Sequence, residues 1–84
     1  MNHYVELDEC KAWAAQRGFA WWLAYRRRFE TSGKLTVVKS GWLDVVRISA
    51  ADAEEAEFMR GHMVSSGGLP RTAVKVGRVR GGDA

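Results

Sequence analysis

The first regular pattern along the chain covers residues 8–17, DECKAWAAQR. At about 100° per residue, Leu7, Cys10, Trp13 and Ala14 fall on one side and Asp8, Glu9 and Gln16 on the other, which predicts a short amphipathic helix. Asp8 can cap it with Leu7 as the staple, and Arg17 followed by Gly18 reads as its end. After Gly18 the period changes. In GFAWWLAYRRRFE (18–30), a helical wheel scatters Phe19, Trp21, Trp22, Leu23, Tyr25 and Phe29 around the full circle. A short chain cannot bury a helix on every side. Alternation sorts the same residues: Phe19, Trp21, Leu23, Tyr25 and Phe29 share one face, and Ala20, Trp22, Ala24, Arg26, Arg28 and Glu30 the other. A strand is therefore expected over 19–30, with a continued helix as the alternative.

TSGK (31–34) then reads as a turn with Gly33 at positive φ. LTVVK (35–39) is β-branched and predicts a second strand. SG (40–41) is a second turn signal, or a bulge at Gly41 in one long bent strand, before a third strand WLDVVRIS (42–49). Ser49, with Asp52 three residues on, approximates a capping box for a helix over 50–64. Ala53, Ala56, Met59 and Met63 form its apolar stripe, with Phe58 off it. SSGGLP (65–70) is a loop, RTAVKVGRV (71–79) a last strand, and HYVEL (3–7) a candidate short extra strand. The expected fold is α+β in the order α-β-β-β-α-β. A three-stranded antiparallel meander plus a C-terminal strand carries two helices on one face. Residues 1–80 form one domain and 81–84 a frayed tail.

The 84 residues allow only a thin core, since a chain of this size buries roughly 60–65% of its unfolded surface. Four tryptophans compensate, each able to bury up to ~250 Å². One cysteine excludes an internal disulfide. No stretch is long enough to span a membrane and no secretion signal opens the chain, so a cytoplasmic location is expected.

The net charge of +3 hides a segregation. Residues 1–10 and 50–57 hold most of the acids, within the expected helical parts. The expected strands and tail carry most of the cations, so the open face of the sheet should be basic. Trp22 with Arg26, Arg27, Arg28, Lys34 and Lys39 then suggests a nucleic-acid platform, guanidinium groups on phosphate and an indole on a base. The competing reading is that Trp22 packs against a neighbour and the arginines keep an edge strand soluble. Glu54, Glu55, Phe58 and His62 on the acidic helix form a second candidate face, for a protein partner. An edge strand or an outward tryptophan offers a two-fold contact for a homodimer.

No catalytic set is assembled by the sequence, and no cofactor is implied. His3, Glu6 and Cys10 match no metal-ligand spacing. Cys10 lies on the expected buried stripe, and His62 reads as a solvated histidine. SSGGLP leads into a strand, not into the helix N-terminus that a phosphate cradle needs. The element order invites comparison with double-stranded-RNA-binding domains, but the second helix opens SAADAEEAE, which repels phosphate. No strand reads like the RNA-recognition-motif consensus. Size, a single domain and the lack of catalytic residues are similar to small phage-encoded inhibitors such as anti-CRISPR proteins, a resemblance of class without a shared motif. The sequence thus favours a non-enzymatic binding module on nucleic acid or a nucleoprotein complex, with a phage or mobile-element inhibitor acting on a protein as the alternative.

Overall fold

The computed structural model describes residues 3–79. Its elements are β1 (His3–Asp8), α1 (Glu9–Ala12), a 3-10 turn (Trp13–Ala15), α2 (Arg17–Ser32), β2 (Leu35–Lys39), β3 (Val45–Ala50), α3 (Ala53–Ser65), a second 3-10 turn (Arg71–Ala73) and β4 (Val74–Arg78). The strands form one antiparallel sheet in the order β2-β3-β1-β4. The α+β class and the antiparallel sheet are as expected. The chain order is not: it runs β-α-β-β-α-β, the split β-α-β or ferredoxin-like topology, instead of α-β-β-β-α-β.

Two corrections produce that change. The short candidate strand at HYVEL is β1, at the centre of the sheet. Val5 and Leu7 alternate inward and are fully buried, while Tyr4 and Glu6 face the other way. The strand expected over 19–30 is instead the long helix α2. Its inward stripe is Phe19 and Trp22, both buried, with Arg26 and Phe29, both half-buried, spaced three, four and three, a helical period. The wheel is in fact sorted: at 100° per residue Phe19, Trp21, Trp22, Leu23, Tyr25 and Phe29 fall within about 200° of the circle, not around all of it. Two residues blur that arc: Arg26 lies in it although it is charged, and Leu23, at its edge, stays half exposed although it is apolar. Trp22 is completely buried, so the expected outward indole is the middle of the core. At ~25 cal/mol per Å², its burial contributes at most roughly 6 kcal/mol.

α2 ends where Gly33 adopts φ 76°, and the amides of Gly33 and Lys34 bond back to the carbonyls of Glu30 and Phe29. Gly33 thus has the expected positive φ but closes a helix, not a hairpin. The helix expected over 8–17 breaks into α1 and a 3-10 turn. Asp8 caps α1 by accepting from the Cys10 amide at 3.0 Å, as expected, but Cys10 and Trp13 are exposed. A second break follows at Gln16, whose φ of 32° separates the turn from α2. Gly18 lies inside α2, where a Cβ would stand 2.8 Å from the Gly68 carbonyl oxygen.

The second strand matches β2, with a register shift between Val37 and Lys39 rather than at Gly41. The third starts at Val45 instead of Trp42, and the last at Val74 instead of Arg71. α3 starts three residues later than expected, because Asp52, not Ser49, is the cap. Asp52 accepts from the Glu55 amide at 2.8 Å, and Glu55 accepts from the Ala51 amide at 2.8 Å. Ala56, Met59 and Met63 are buried as expected, whereas Ala53 is exposed. α2 and α3 cover one face of the sheet, and their Phe19, Trp22, Met59 and Met63 join Val5, Leu7, Val46, Ile48 and Val74 in one core. Residues 81–84, expected to fray, lie outside the described residues.

Candidate functional site

The helix reading divides the three consecutive arginines. Arg26 points inward to a buried carboxylate at the junction of α1, α2 and β3. Glu9 Oε2 accepts from Arg26 at 2.6 Å and from the Trp22 indole N–H at 2.7 Å, and Glu9 Oε1 accepts from the Asp44 amide at 3.0 Å. Arg26 also pairs with Asp44 at 3.3 Å and Glu30 at 3.4 Å. Burial works against its charge, but Glu9, Asp44 and Glu30 outweigh that and raise its pKa further above an already high value. Neither Trp22 nor Arg26 is available to a partner. Both expected site roles are overturned by the turn of a helix, which aims residues 22 and 26 at the core.

Arg27 and Arg28 turn outward on α2 and are exposed, as are Lys34 after the helix and Lys39 at the end of β2. Arg17, expected in the last turn of the first helix, instead opens α2 and is exposed too. Only its position on a helix wheel could have drawn attention to it. Arg28 lies 5.9 Å above the Tyr25 ring. Tyr25 stacks on Trp21 at 4.6 Å, and His62 of α3 approaches both rings, at 5.8 and 5.6 Å. Burial raises the Tyr25 pKa above 10.0, Arg28 opposes this and Glu55 adds to it.

Phe58 stands beside His62, nearly parallel at 6.1 Å, and is 72% exposed. A shallow cleft lined by Trp21, Ala24, Tyr25, Arg28 and His62 follows this seam. The structure thus brings Arg28 from the first candidate set together with Phe58, His62 and Glu55 from the second. They form one surface over the α2–α3 seam.

The open face of the sheet is not the basic platform expected. Glu6 holds Arg47 at 2.9 Å and Lys75 at 3.2 Å, and the Arg47 guanidinium lies 4.1 Å over Tyr4. Burial alone would push the Glu6 carboxyl up. The hydrogen bonds and charges of Arg47 and Lys75 outweigh it and hold the group below the ordinary value of 4.5. Tyr4 also lies against Gly77, where a Cβ would come within 2.4 Å of its ring. The cross-strand groups on this face largely satisfy one another.

Carboxylates and cations are therefore used differently. Glu6, Glu9, Glu30, Asp44 and Glu57 are in ion pairs, and Asp8, Asp52 and Glu55 accept backbone amides at helix starts. Among the described residues Glu54 alone of the acids does neither. On the other side of the ledger, Lys11, Arg17, Arg27, Arg28, Lys34, Lys39, Arg71 and Arg78 are all exposed and make no ion pair among the described residues. Among the described residues no three His, Cys, Asp or Glu side chains come together as a metal site. Among the described residues no helix is long and apolar enough to cross a membrane. No family model, no curated protein and no solved structure matches this chain.

Proposed function

We propose that this protein is a non-enzymatic binding module that docks on nucleic acid, alone or in a nucleoprotein complex, through the outer face of α2. Arg17, Arg27 and Arg28 lie on that helix, Lys34 just past its end, and Lys39 one strand further on. One observation carries the reading: among the described residues every carboxylate but Glu54 is held by an ion pair or a helix-start amide, while these cations stand exposed without an ion pair. Such a surface concentrates polyanions and gains affinity by releasing their counterions. Arg17 to Arg28 spans about 16 Å of helix, so several phosphates can be met at once.

The test is oligonucleotide binding by fluorescence anisotropy between 50 and 200 mM salt. Neutralising about three or four phosphates predicts a loss of affinity of roughly 20- to 150-fold over that range. The R17A/R27A/R28A variant should flatten this dependence. Salt-independent binding, or a variant that binds like the wild type, refutes the reading.

A second reading is favoured by Phe58, a mostly exposed ring one turn along α3 from Glu54, which makes no ion pair among the described residues. An aromatic anchor in a mixed-charge surface suits a protein partner, as for an inhibitor of the anti-CRISPR-like class. A pull-down partner that survives nuclease treatment and is lost with F58A would favour it over the first.

A further inference from the structure

Around the 3-10 turn Trp13–Ala15 the surface is aromatic. Trp13 is 51% exposed and Trp42, from the β2–β3 connection, 78%. Trp13 meets the Phe19 ring at 5.1 Å and 76°, and the Trp42 ring at 5.4 Å and 70°. Beside them lies a hollow of about 420 Å³ lined by Trp13, Ala14, Gln16 and Phe19. Gln16 is the one described non-glycine residue at positive φ, a strained conformation. It brings to the lining an amide that can both donate and accept hydrogen bonds.

We propose that Trp13 and Trp42, with this hollow, stack unpaired nucleobases of a single-stranded segment whose phosphates follow α2 toward Arg27. The assignment rests on the nucleic-acid reading of α2 and narrows it to single strands. Charge complementarity selects the occupant. No carboxylate lines the hollow, and Lys11, two residues before Trp13, and Arg17, between Gln16 and Phe19, are exposed and make no ion pair among the described residues. Phe19, Leu23 and Arg27 are spaced by four and form one row on the helix. That row leads from the hollow across the half-exposed Leu23 to a free guanidinium about 12 Å away. Aromatic faces hold successive bases of a single strand whatever their sequence, while cations track the backbone. A duplex keeps its bases stacked on one another and offers these indoles no face.

The experiment compares an oligothymidylate of about twenty residues with a duplex of equal length, reading anisotropy and tryptophan emission together. Single-strand binding should quench the emission. W42A should weaken it by about 5- to 150-fold, with W13F between W42A and wild type, while duplex affinity moves by less than about twofold. W42A alters a largely exposed side chain, and W13F keeps a ring against Phe19, so both should fold. Single-strand affinity unchanged in both variants overturns the stacking site. So does binding to the duplex alone, although the basic-face reading survives that result. Binding to neither oligonucleotide overturns both.

Discussion

Replacing Glu9 with alanine separates the structural arginine of α2 from its surface arginines. In the native state one carboxylate accepts from the Trp22 indole at 2.7 Å, the Arg26 guanidinium at 2.6 Å and the Asp44 amide at 3.0 Å. The Glu9 side chain is 4% exposed and that of Arg26 16%. E9A leaves a buried indole N–H and a buried guanidinium without this acceptor. Each orphaned donor costs about 1–3 kcal/mol, and breaking a buried ion pair about 3–5 kcal/mol in all. Arg26 keeps Asp44 and Glu30, so about 3 kcal/mol is expected. A domain of 84 residues has only roughly 4–13 kcal/mol to lose. The assay is urea unfolding followed by circular dichroism at neutral pH, on E9A, R26M and the E9Q/R26M double variant. The double variant should lose at least about 1 kcal/mol less than the sum of the single Glu9 and Arg26 changes, E9Q measured alongside. R27A should stay within about 0.5 kcal/mol of wild type, yet bind oligonucleotide more weakly. R26M, at temperatures where it is folded, should bind as wild type. A loss below about 1 kcal/mol for E9A, or R26M weakening binding as much as R27A does, would refute the division of labour.

Gly67, like Gly18 and Gly77, is a point of close approach, since a Cβ there would lie 2.4 Å from the Trp21 ring and 2.5 Å from the Met63 carbonyl oxygen. G67A should therefore cost about 1–3 kcal/mol and lower the melting temperature by at least about 4 °C in calorimetry. The depressed Glu6 pKa means the native state holds that proton less tightly than the unfolded chain. Its contribution is complete above the unfolded value near 4.5 and is lost as pH falls through the lower folded value. E6Q should flatten the acid limb of stability against pH, and an unchanged limb in acid titrations would remove Glu6 from the account. D52A should cost about 1 kcal/mol through loss of the α3 cap, and S49A less than about 0.5 kcal/mol, both read from urea midpoints.

Much of the sheet was legible from two local signals. Val5 and Leu7, and Val46 and Ile48, are spaced by two, LTVVK is β-branched, and each of these segments lies in a strand. Asp8 at the start of α1, and Ala56, Met59 and Met63 on α3, were equally readable. Position in the sheet was not, because the alternation of a strand does not say who its neighbours are. A five-residue candidate at the start of the chain gave no hint that it pairs on both sides.

The failure at α2 has two sources. The six apolar side chains fill a broad arc and not the whole circle, and within that arc a guanidinium that meets Glu9 across 17 residues of sequence lies in the inward stripe. That pairing is tertiary and leaves no local trace. The candidate site inherited the error: Trp22 and Arg26 moved inside, while Arg27, Arg28, Lys34 and Lys39 stayed exposed because long cationic side chains reach water from either secondary structure. The aromatic hollow was invisible because it joins Trp13 to Trp42, whose neighbourhood depends on where the β2–β3 connection folds back.

The pairing of β1 with β4 ties His3 to Arg78, and this sets a timetable for synthesis. At about 5–20 residues per second, the edge of β1 that β4 will cover waits roughly 3–15 s for its partner, although β3 can dock on the opposite edge sooner. Throughout that interval the nascent chain presents an unsatisfied row of amides and carbonyls flanked by Val5 and Leu7. Folding of this protein is consequently a race between ribosomal elongation and capture of that open edge by another chain. Slow codons ahead of Val74 should shift the outcome toward aggregates.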